Sequence, residues 1–392
     1  MTKPPDGALA MPPVEVPPTW SERWFGLRNR ILASPVFQRR AAAFVLTRPI
    51  ARRRARALFD LVAGFVYSQV LLACVRLKLF EVLAEGPQTT AALAARLALP
   101  PDGMQRLLAA AASLDLVERR RDGRYGLGTL GAPMVGNRAI AAMVEHHAAL
   151  YADLSDPVAL LRGEAGGAEL ARYWAYDEAQ VSAAPDPAAA ERVRRYSALM
   201  SASQPLVADE ILDAYPLARH RCLLDVGGGE GTFLAAAAAR APALKLMLFD
   251  LPAVAARAVE RLASQGLAAR TTVTGGDFRR DALPMGADVA TLIRVIHDHN
   301  DPQALAILKA VHRALPAGGT LLLAEPMADT PGAEPIGDAY FGFYLLAMGR
   351  GRPRSAAELT GLLHAAGFGQ VRIVPTRMPL QTGLLVARPK SA

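Results

Sequence analysis

Three aspartates stand behind short apolar runs: Asp225 in LLDVGGGEGTFL (223–234), Asp250 in LFDLP and Asp277 in GGDF. Asp225 precedes glycines spaced Gly227-x-Gly229-x-Gly231. A dinucleotide turn needs a glycine where this chain has Thr232, and no GK[ST] follows to make a phosphate loop. The turn therefore admits a ligand close to the backbone without a diphosphate to cradle. Asp250 is placed to take both hydroxyls of a ribose. Asp277 can accept from an exocyclic adenine amine, with Phe278 packed on the ring. Leu251 and Gly276 adjoin these acids and belong to the same candidate set. Asp225 either accepts from an ammonium group or orients the loop. Any one of these acids could cap a helix. Three of them at successive run ends, beside a glycine turn, describe one ligand: amine, ribose and adenine without phosphate, which is S-adenosylmethionine.

A second constellation is RVIHDHND (294–301). His297 is a candidate general base for removing a proton from a methyl acceptor. The alternatives are an ordinary loop histidine, or a metal ligand together with His299. No further ligand spacing supports a metal, and none is expected.

These residues need a frame to hold them. CLLDV (222–226), KLMLFD (245–250), TTVTG (271–275), DVATLIRVI (288–296) and TLLLAE (320–325) read as strands separated by helical, alanine-rich stretches. That pattern gives a parallel sheet with crossovers. VRIVPT (371–376) and GLLVAR (383–388) are separated only by RMPLQT, too short for a crossover helix, and predict an antiparallel hairpin. The fold class is α/β, a seven-stranded Rossmann-like domain with a C-terminal antiparallel hairpin.

Upstream, residues 61 to 215 read as helical. Two amphipathic segments in 89–116 are broken by Pro-Pro-Asp-Gly, and Asp122-Gly123 in VERRRDGRYGL marks a hairpin, so the region is winged-helix-like. Winged helices often bind DNA, which raises a regulator as an alternative function. The segment in the recognition position carries only Arg106, too little for phosphate contact, so no nucleic acid partner is expected.

The chain has 392 residues, an apolar fraction of 52% and two cysteines, Cys74 and Cys222, without metal or disulfide spacing. These features fit a two-domain protein of a reducing cytoplasm. No secretory signal is visible, and the proline-rich opening reads as a disordered lead-in. The run at 61–75 contains Ser68 and Gln69 and stops at Arg76, so it reads as a buried helix rather than a membrane span. Between Glu22 and Asp60 lie ten arginines and no acid, which more than accounts for the net charge of +8. Trp20, Trp24, Phe25, Phe37 and Phe44 are interleaved with them. An anionic membrane surface suits that mixture; a solvated helical extension is the other reading.

LLDVGGGEGTF, LFDLPAV, GGDFRRDALP, RVIHDHND and LLLAEPMAD, in this order, resemble the plant-type O-methyltransferases. The resemblance spans roughly residues 60–390. It implies a helical winged-helix-like dimerisation domain at 61–215, a methyltransferase domain at 216–392 and a homodimer, with 1–60 as a disordered, basic extension. It also implies S-adenosylmethionine as methyl donor and S-adenosylhomocysteine as product. His297 matches the family's catalytic histidine, Glu325 matches an acid that orients it, and Arg294 matches a position near the cofactor or is a surface cation. Asp298 shares the orienting role or fixes the loop. Many relatives read HDW where this chain has HDH, and Pro353 stands where a second acid is found.

More narrowly, SPVFQRR, LTRPIARRRARALFDLVAGFVYSQVLLACVRL and MVEHHAALYADL resemble the 1-hydroxycarotenoid O-methyltransferases of purple photosynthetic bacteria. That implies a tertiary 1-hydroxyl of an acyclic carotenoid (demethylspheroidene or hydroxyneurosporene type) as acceptor. The enzyme would be cytoplasmic and peripheral on the inner, photosynthetic membrane. Another hydrophobic hydroxyl, on a polyketide or a phenolic, is the alternative acceptor. Tyr340, Phe343, Tyr344 and Met348, with His146, His147 and Met200, are candidates for the acceptor wall. Each taken singly is also an ordinary core residue.

Overall fold

The computed structural model describes residues 19–164, 169–173, 201, 203–380 and 382–390. The chain divides into two compact units between Leu71 and Leu72. In the first, Thr19 caps helix Trp20–Ala33 in a reciprocal capping box with Glu22, and Ser34 caps helix Pro35–Ala43. Helix Arg48–Arg76 follows, so the basic segment expected to be a disordered extension is helical from Trp20 onward. The expected boundary between residues 60 and 61 falls inside that continuous helix. The proline-rich lead-in, residues 1–18, lies outside the described residues.

The run 61–75 also departs from expectation. Only Leu72 and Cys74 of helix Arg48–Arg76 are buried, while Leu61 is 82% and Phe65 66% exposed. Apolar side chains surround this stretch on every side, and a single chain covers only its end. By length and composition alone the helix would also cross a membrane.

The second unit begins with helices Leu79–Ala84, Thr90–Arg96 and Pro101–Ser113. Thr89 caps the second of these, and a proline opens the third. The hairpin β1 (Val117–Arg119) and β2 (Tyr125–Leu127) comes next, turning at Gly123 with φ 81°. Gln88 pairs with Tyr125 in an isolated antiparallel bridge at the edge of this two-stranded sheet. Helix Arg138–Asp153 leads away from it.

The remaining strands are β3 (Cys222–Val226), β4 (Lys245–Asp250), β5 (Thr271–Gly275), β6 (Val289–Ile293), β7 (Thr320–Glu325), β8 (Phe368–Val374) and β9 (Gly383–Pro389). They form one sheet in the order β5-β4-β3-β6-β7-β9-β8. Neighbours among the first five are parallel, and β9 lies antiparallel between β7 and β8. The terminal hairpin is thus present, with its last strand inserted inside its first.

Side chains alternate between two cores. Leu224, Leu292 and Leu323 pack on one face with Ile307, Val311 and Leu363. Leu223, Leu246 and Val289 pack on the other with Phe233, Ala258 and Ile211. Helices on both faces explain why β6 and β7 are apolar almost throughout, and every residue of both is buried. Strand β6 ends at Ile293, short of the expected 296, because Arg294 takes a left-handed backbone (φ 57°). Its N–H still donates to the Ala324 carbonyl at 2.8 Å, and the chain then turns across the top of the sheet. The chain order reverses between β3 and β6, and the ligand crevice of an open α/β sheet forms there.

Candidate active site

The crevice above β3, β4 and β6 is bordered by the glycine turn, by Asp250 and Leu251 after β4, and by Gly276, Asp277 and Phe278 after β5. Arg294, Asp298 and His299 close it from the β6 side, and Thr232, Arg279 and Arg350 also line it.

The glycines differ in what excludes a side chain. A Cβ at Gly227 would meet Val295 at 2.8 Å, so there the constraint is protein packing. Gly229, with φ 58°, has open space where its side chain would be, and faces the crevice. Its N–H donates to Asp250 Oδ2 at 2.7 Å, while Leu251 N–H donates to Oδ1 at 2.7 Å. Asp250 therefore fixes the turn, and both its oxygens keep lone pairs for further donors. Burial pushes its pKa up to about 6, against the pull of these two bonds.

Asp225 lies behind the turn and is not on the crevice wall. It is 2% exposed, accepts from Thr291 Oγ1 at 2.6 Å, and is pushed by burial up to about 7. Its Oδ2, like Thr232 Oγ1, has no hydrogen-bond partner among the described residues. The orphaned Thr232 Oγ1 on the crevice wall, and the open Gly229 beside the buried Asp250 carboxylate, are what a ribose-bearing ligand would complete, so the residues fit S-adenosylmethionine. Burial works to raise the pKa of Asp277, but the Arg279 side chain and backbone outweigh it and hold the carboxyl below its usual range. Asp277 is thus an ionised acceptor, with Phe278 adjacent. His299 meets Phe278 edge-on, ring centres 5.4 Å apart, and burial keeps it neutral.

Glu325 ends β7 at 2% exposure. Its Oε1 accepts the N–H groups of Val295 (3.0 Å) and Ile296 (2.7 Å), and its Oε2 accepts from His297 Nδ1. The other ring nitrogen, Nε2, lies 3.1 Å from Asp298 Oδ1. Burial opposes a charge on His297, but the carboxylates of Asp298 and Glu325 together prevail and push its pKa up to about 10. The imidazole therefore rests protonated between two acids. Asp298 reaches the crevice, and His297 sits behind it. Phe341 covers the imidazole with ring centres 6.3 Å apart.

The acceptor-wall candidates gather elsewhere. His146 Nε2 shares a hydrogen bond with Tyr344 OH at 2.9 Å, and His147 Nε2 with Tyr340 OH at 2.8 Å. Burial lowers both histidines, His146 to about 4, so both imidazoles are neutral. Tyr344 and Met348 are buried against Leu150, Leu160 and Leu170, the packing of ordinary core residues. Phe343 is half-buried, and Met200 lies outside the described residues. A π-helical turn, Pro335–Phe341, feeds this helix and brings Phe341 toward His297.

Several contributors carried no sequence signal. Ser203 Oγ accepts from Arg294 at 2.8 Å, and Glu230 pairs with Arg257 and Arg261 behind the glycine turn. Arg354, fully buried, binds the loop that carries His297. Only the HDH departure from the family pattern could have drawn attention to His299.

The doubly wound sheet with an inserted antiparallel last strand, and the crevice built on Gly229 and Asp250, define an S-adenosylmethionine-dependent methyltransferase. Residues 151–369 match the model of an O-methyltransferase domain, and residues 59–136 that of an O-methyltransferase dimerisation domain. Demethylspheroidene O-methyltransferase of Cereibacter sphaeroides is 47% identical over 93% of this chain and 95% of that protein. Acetylserotonin O-methyltransferase of Mus musculus is 33% identical, covering 83% and 86%. The S-adenosylmethionine-dependent methyltransferase SibL, solved in its apo form, superposes with a TM-score of 0.71 at 25% identity, covering 85% of this chain and 99% of SibL. The chain belongs to the O-methyltransferase family. The dimerisation domain, which supports a homodimer, includes helix Arg48–Arg76 from residue 59 onward.

The Asp250 geometry has a direct consequence for cofactor affinity. Asp250→Ala removes a charged acceptor whose bonds are each worth roughly 1.5–3 kcal/mol, so the Kd for S-adenosylmethionine should rise about ten- to hundredfold. Titration calorimetry on folded protein measures this, and unchanged affinity would take Asp250 out of the site.

Proposed function

We propose that this enzyme methylates the tertiary 1-hydroxyl of an acyclic carotenoid of the demethylspheroidene or hydroxyneurosporene type, with His297 as general base. The observation that carries the mechanism is the buried Glu325 bound to His297 Nδ1, which leaves Nε2 as the ring atom directed to the proton. The 47%-identical relative, covered almost end to end, supports the acceptor.

When bound, S-adenosylmethionine supplies a methyl group on a cationic sulfur, a good leaving group. The remaining difficulty is the acceptor's proton, since a tertiary alcohol is a weak acid. Gly229, Asp250, Leu251 and Asp277 hold the cofactor, with Phe278 and His299 at its adenine end. His297 Nε2 takes the hydroxyl proton, and Glu325 stabilises the imidazolium that results. Asp298 occupies Nε2 at rest; as it moves aside it takes the resting Nε2 proton away to solvent, which leaves a neutral ring with its lone pair free for the hydroxyl proton. Phe341 excludes water from the imidazole. Tyr340, tied to neutral His147, and the half-buried Phe343 form the acceptor wall, with Tyr344 and Met348 packed behind them as core. The second reading is methylation of another hydrophobic hydroxyl, supported by the acetylserotonin-methylating relative.

The homodimer works, in this reading, at the cytoplasmic face of the photosynthetic membrane. Helices Trp20–Ala33 and Pro35–Ala43 bury none of their residues and expose Trp24, Phe37 and Phe44 among arginines. Basic residues near an anionic surface contribute roughly 1 kcal/mol each.

Incubation with methyl-labelled cofactor and 1-hydroxycarotenoid should give a labelled methoxy carotenoid. His297→Ala should cut turnover roughly 10²–10⁴-fold while retaining cofactor affinity. Label on a phenolic but on no carotenoid would favour the second reading, and near-full turnover without His297 would remove the base.

The pH profile tests Asp298. His297 accepts a proton only when neutral, so its raised pKa sets the acid limb of kcat/KM high. Asp298→Asn removes one of two stabilising carboxylates and should move that limb to lower pH. A limb that stays put would show that Asp298 does not hold the proton.

Membrane contact is tested by sedimentation. The full-length protein should pellet with anionic liposomes at low salt and much less at high salt, as screening shortens the Debye length. A form with Arg23, Arg28, Arg30, Arg39 and Arg40 changed to glutamine should remain in the supernatant. Equal pelleting of the two would leave the segment as a solvated helical extension.

A further inference from the structure

Arg354 is 1% exposed, and it lies far along the chain from the loop it touches. Its Nη1 donates to the Ile296 carbonyl at 2.9 Å, and its Nη2 to the His299 carbonyl at 2.7 Å. Nε and Nη2 also donate to Asp301 Oδ1, at 2.8 and 2.7 Å. A buried guanidinium is costly, and apolar packing of similar volume is often as stable or better. What it provides here is geometry. Ile296 and His299 flank His297 and Asp298, so one rigid fork holds both ends of the turn that carries the imidazole.

The neighbouring residues act on the same turn. Arg352 N–H donates to the His297 carbonyl at 2.9 Å. Gly351, with φ 76°, packs where a Cβ would stand 2.1 Å from that carbonyl, so no side chain fits. The amide groups of Val295 and Ile296 point the other way, into Glu325. The turn is therefore gripped through its N–H groups by an acid on β7 and through its carbonyls by the 351–354 segment. Both grips bear on the ring, because the turn is a single 3₁₀ turn of three residues, Ile296–Asp298, too short to be held by its own hydrogen bonds alone.

We propose that Arg354 is a positioning residue: its fork, bound to the carbonyls of Ile296 and His299, sets the orientation of the His297 imidazole toward the acceptor. Its relevance to catalysis rests on the reading of His297 as base. Lysine cannot reproduce this hold, since a compact ammonium on a flexible stem does not bridge two carbonyls and a carboxylate in one plane.

The test uses full-length Arg354→Lys and Arg354→Met, with histidines labelled at Cε1 and the His297 signal assigned through His297→Gln. The charged and titratable groups that face His297 are Glu325, Asp298 and His299. Loosening the turn draws the ring from Glu325, so both variants should show His297 titrating at lower pH than in the unaltered protein. Turnover per folded molecule should fall about 10- to 100-fold, with the acceptor KM within about threefold, the expected effect of an ångström-scale misplacement. An unaltered His297 titration in folded variants, with only a lower Tm, overturns the proposal. If Arg354→Met does not fold, Arg354→Lys decides on the same signal. A shifted titration with unchanged turnover upholds the hold on the ring and instead removes His297 as base.

Discussion

The carboxylate of Glu325 sits at the end of a strand buried along its whole length, and burying it requires that its oxygens be satisfied. The donors that satisfy it are two consecutive backbone amides and one imidazole, all from the segment just beyond β6. That single requirement ties two neighbouring strands together at their carboxyl ends and forces the chain after β6 into a tight turn. The left-handed Arg294 lets the chain leave the sheet at the right place. Non-glycine residues enter that conformation at a cost, and it persists here because the amides on either side are committed. Strain, burial and the position of His297 are aspects of one arrangement.

A similar economy governs the other half of the crevice. Asp250 must also be satisfied after burial, and it accepts from Gly229 and Leu251. The acid proposed to read a ribose is thus the acid that shapes the glycine turn. Each side of the crevice has one buried carboxylate that organises backbone amides: Asp250 beside the glycine turn and Glu325 beside His297. Both lie at strand ends, flanking the point where the chain order reverses.

The strand pattern, the terminal hairpin and the winged helix were legible because each is written locally, in apolar runs and in turn residues. Asp250, Asp277 and the glycine turn were legible for the same reason: they follow strands at short range. What stayed hidden depends on contacts across long sequence separations. Nothing near Arg354 announces that it binds residue 296, and nothing near Ser203 announces Arg294. Asp225 looked like a ligand-facing acid, yet it lies under the turn because β3 is an interior strand whose end is roofed by the glycines, Gly228 packing directly on its carboxyl. The run 61–75 looked like a buried helix because its composition is that of a core. Composition cannot say whether an apolar helix is covered within its own chain, and this one is covered there only near its C-terminal end, at Leu72 and Cys74.

The two acids around His297 pose the remaining physical problem. With His297 as the proposed base, a raised proton affinity pulls harder on a weakly acidic alcohol, but at rest the ring already carries a proton. The asymmetry of the two partners separates these effects. Glu325 is locked by two backbone amides and stays with Nδ1 throughout. Asp298, though buried, lines the crevice, and no such amides hold it among its described bonds; it borders the space where a cationic ligand would lie. A cation placed in that space would attract the Asp298 carboxylate and weaken its hold on Nε2. Of the two acids only Glu325 is fixed by backbone amides among the described bonds, so the Nε2 side of the ring is the one a crevice ligand can perturb.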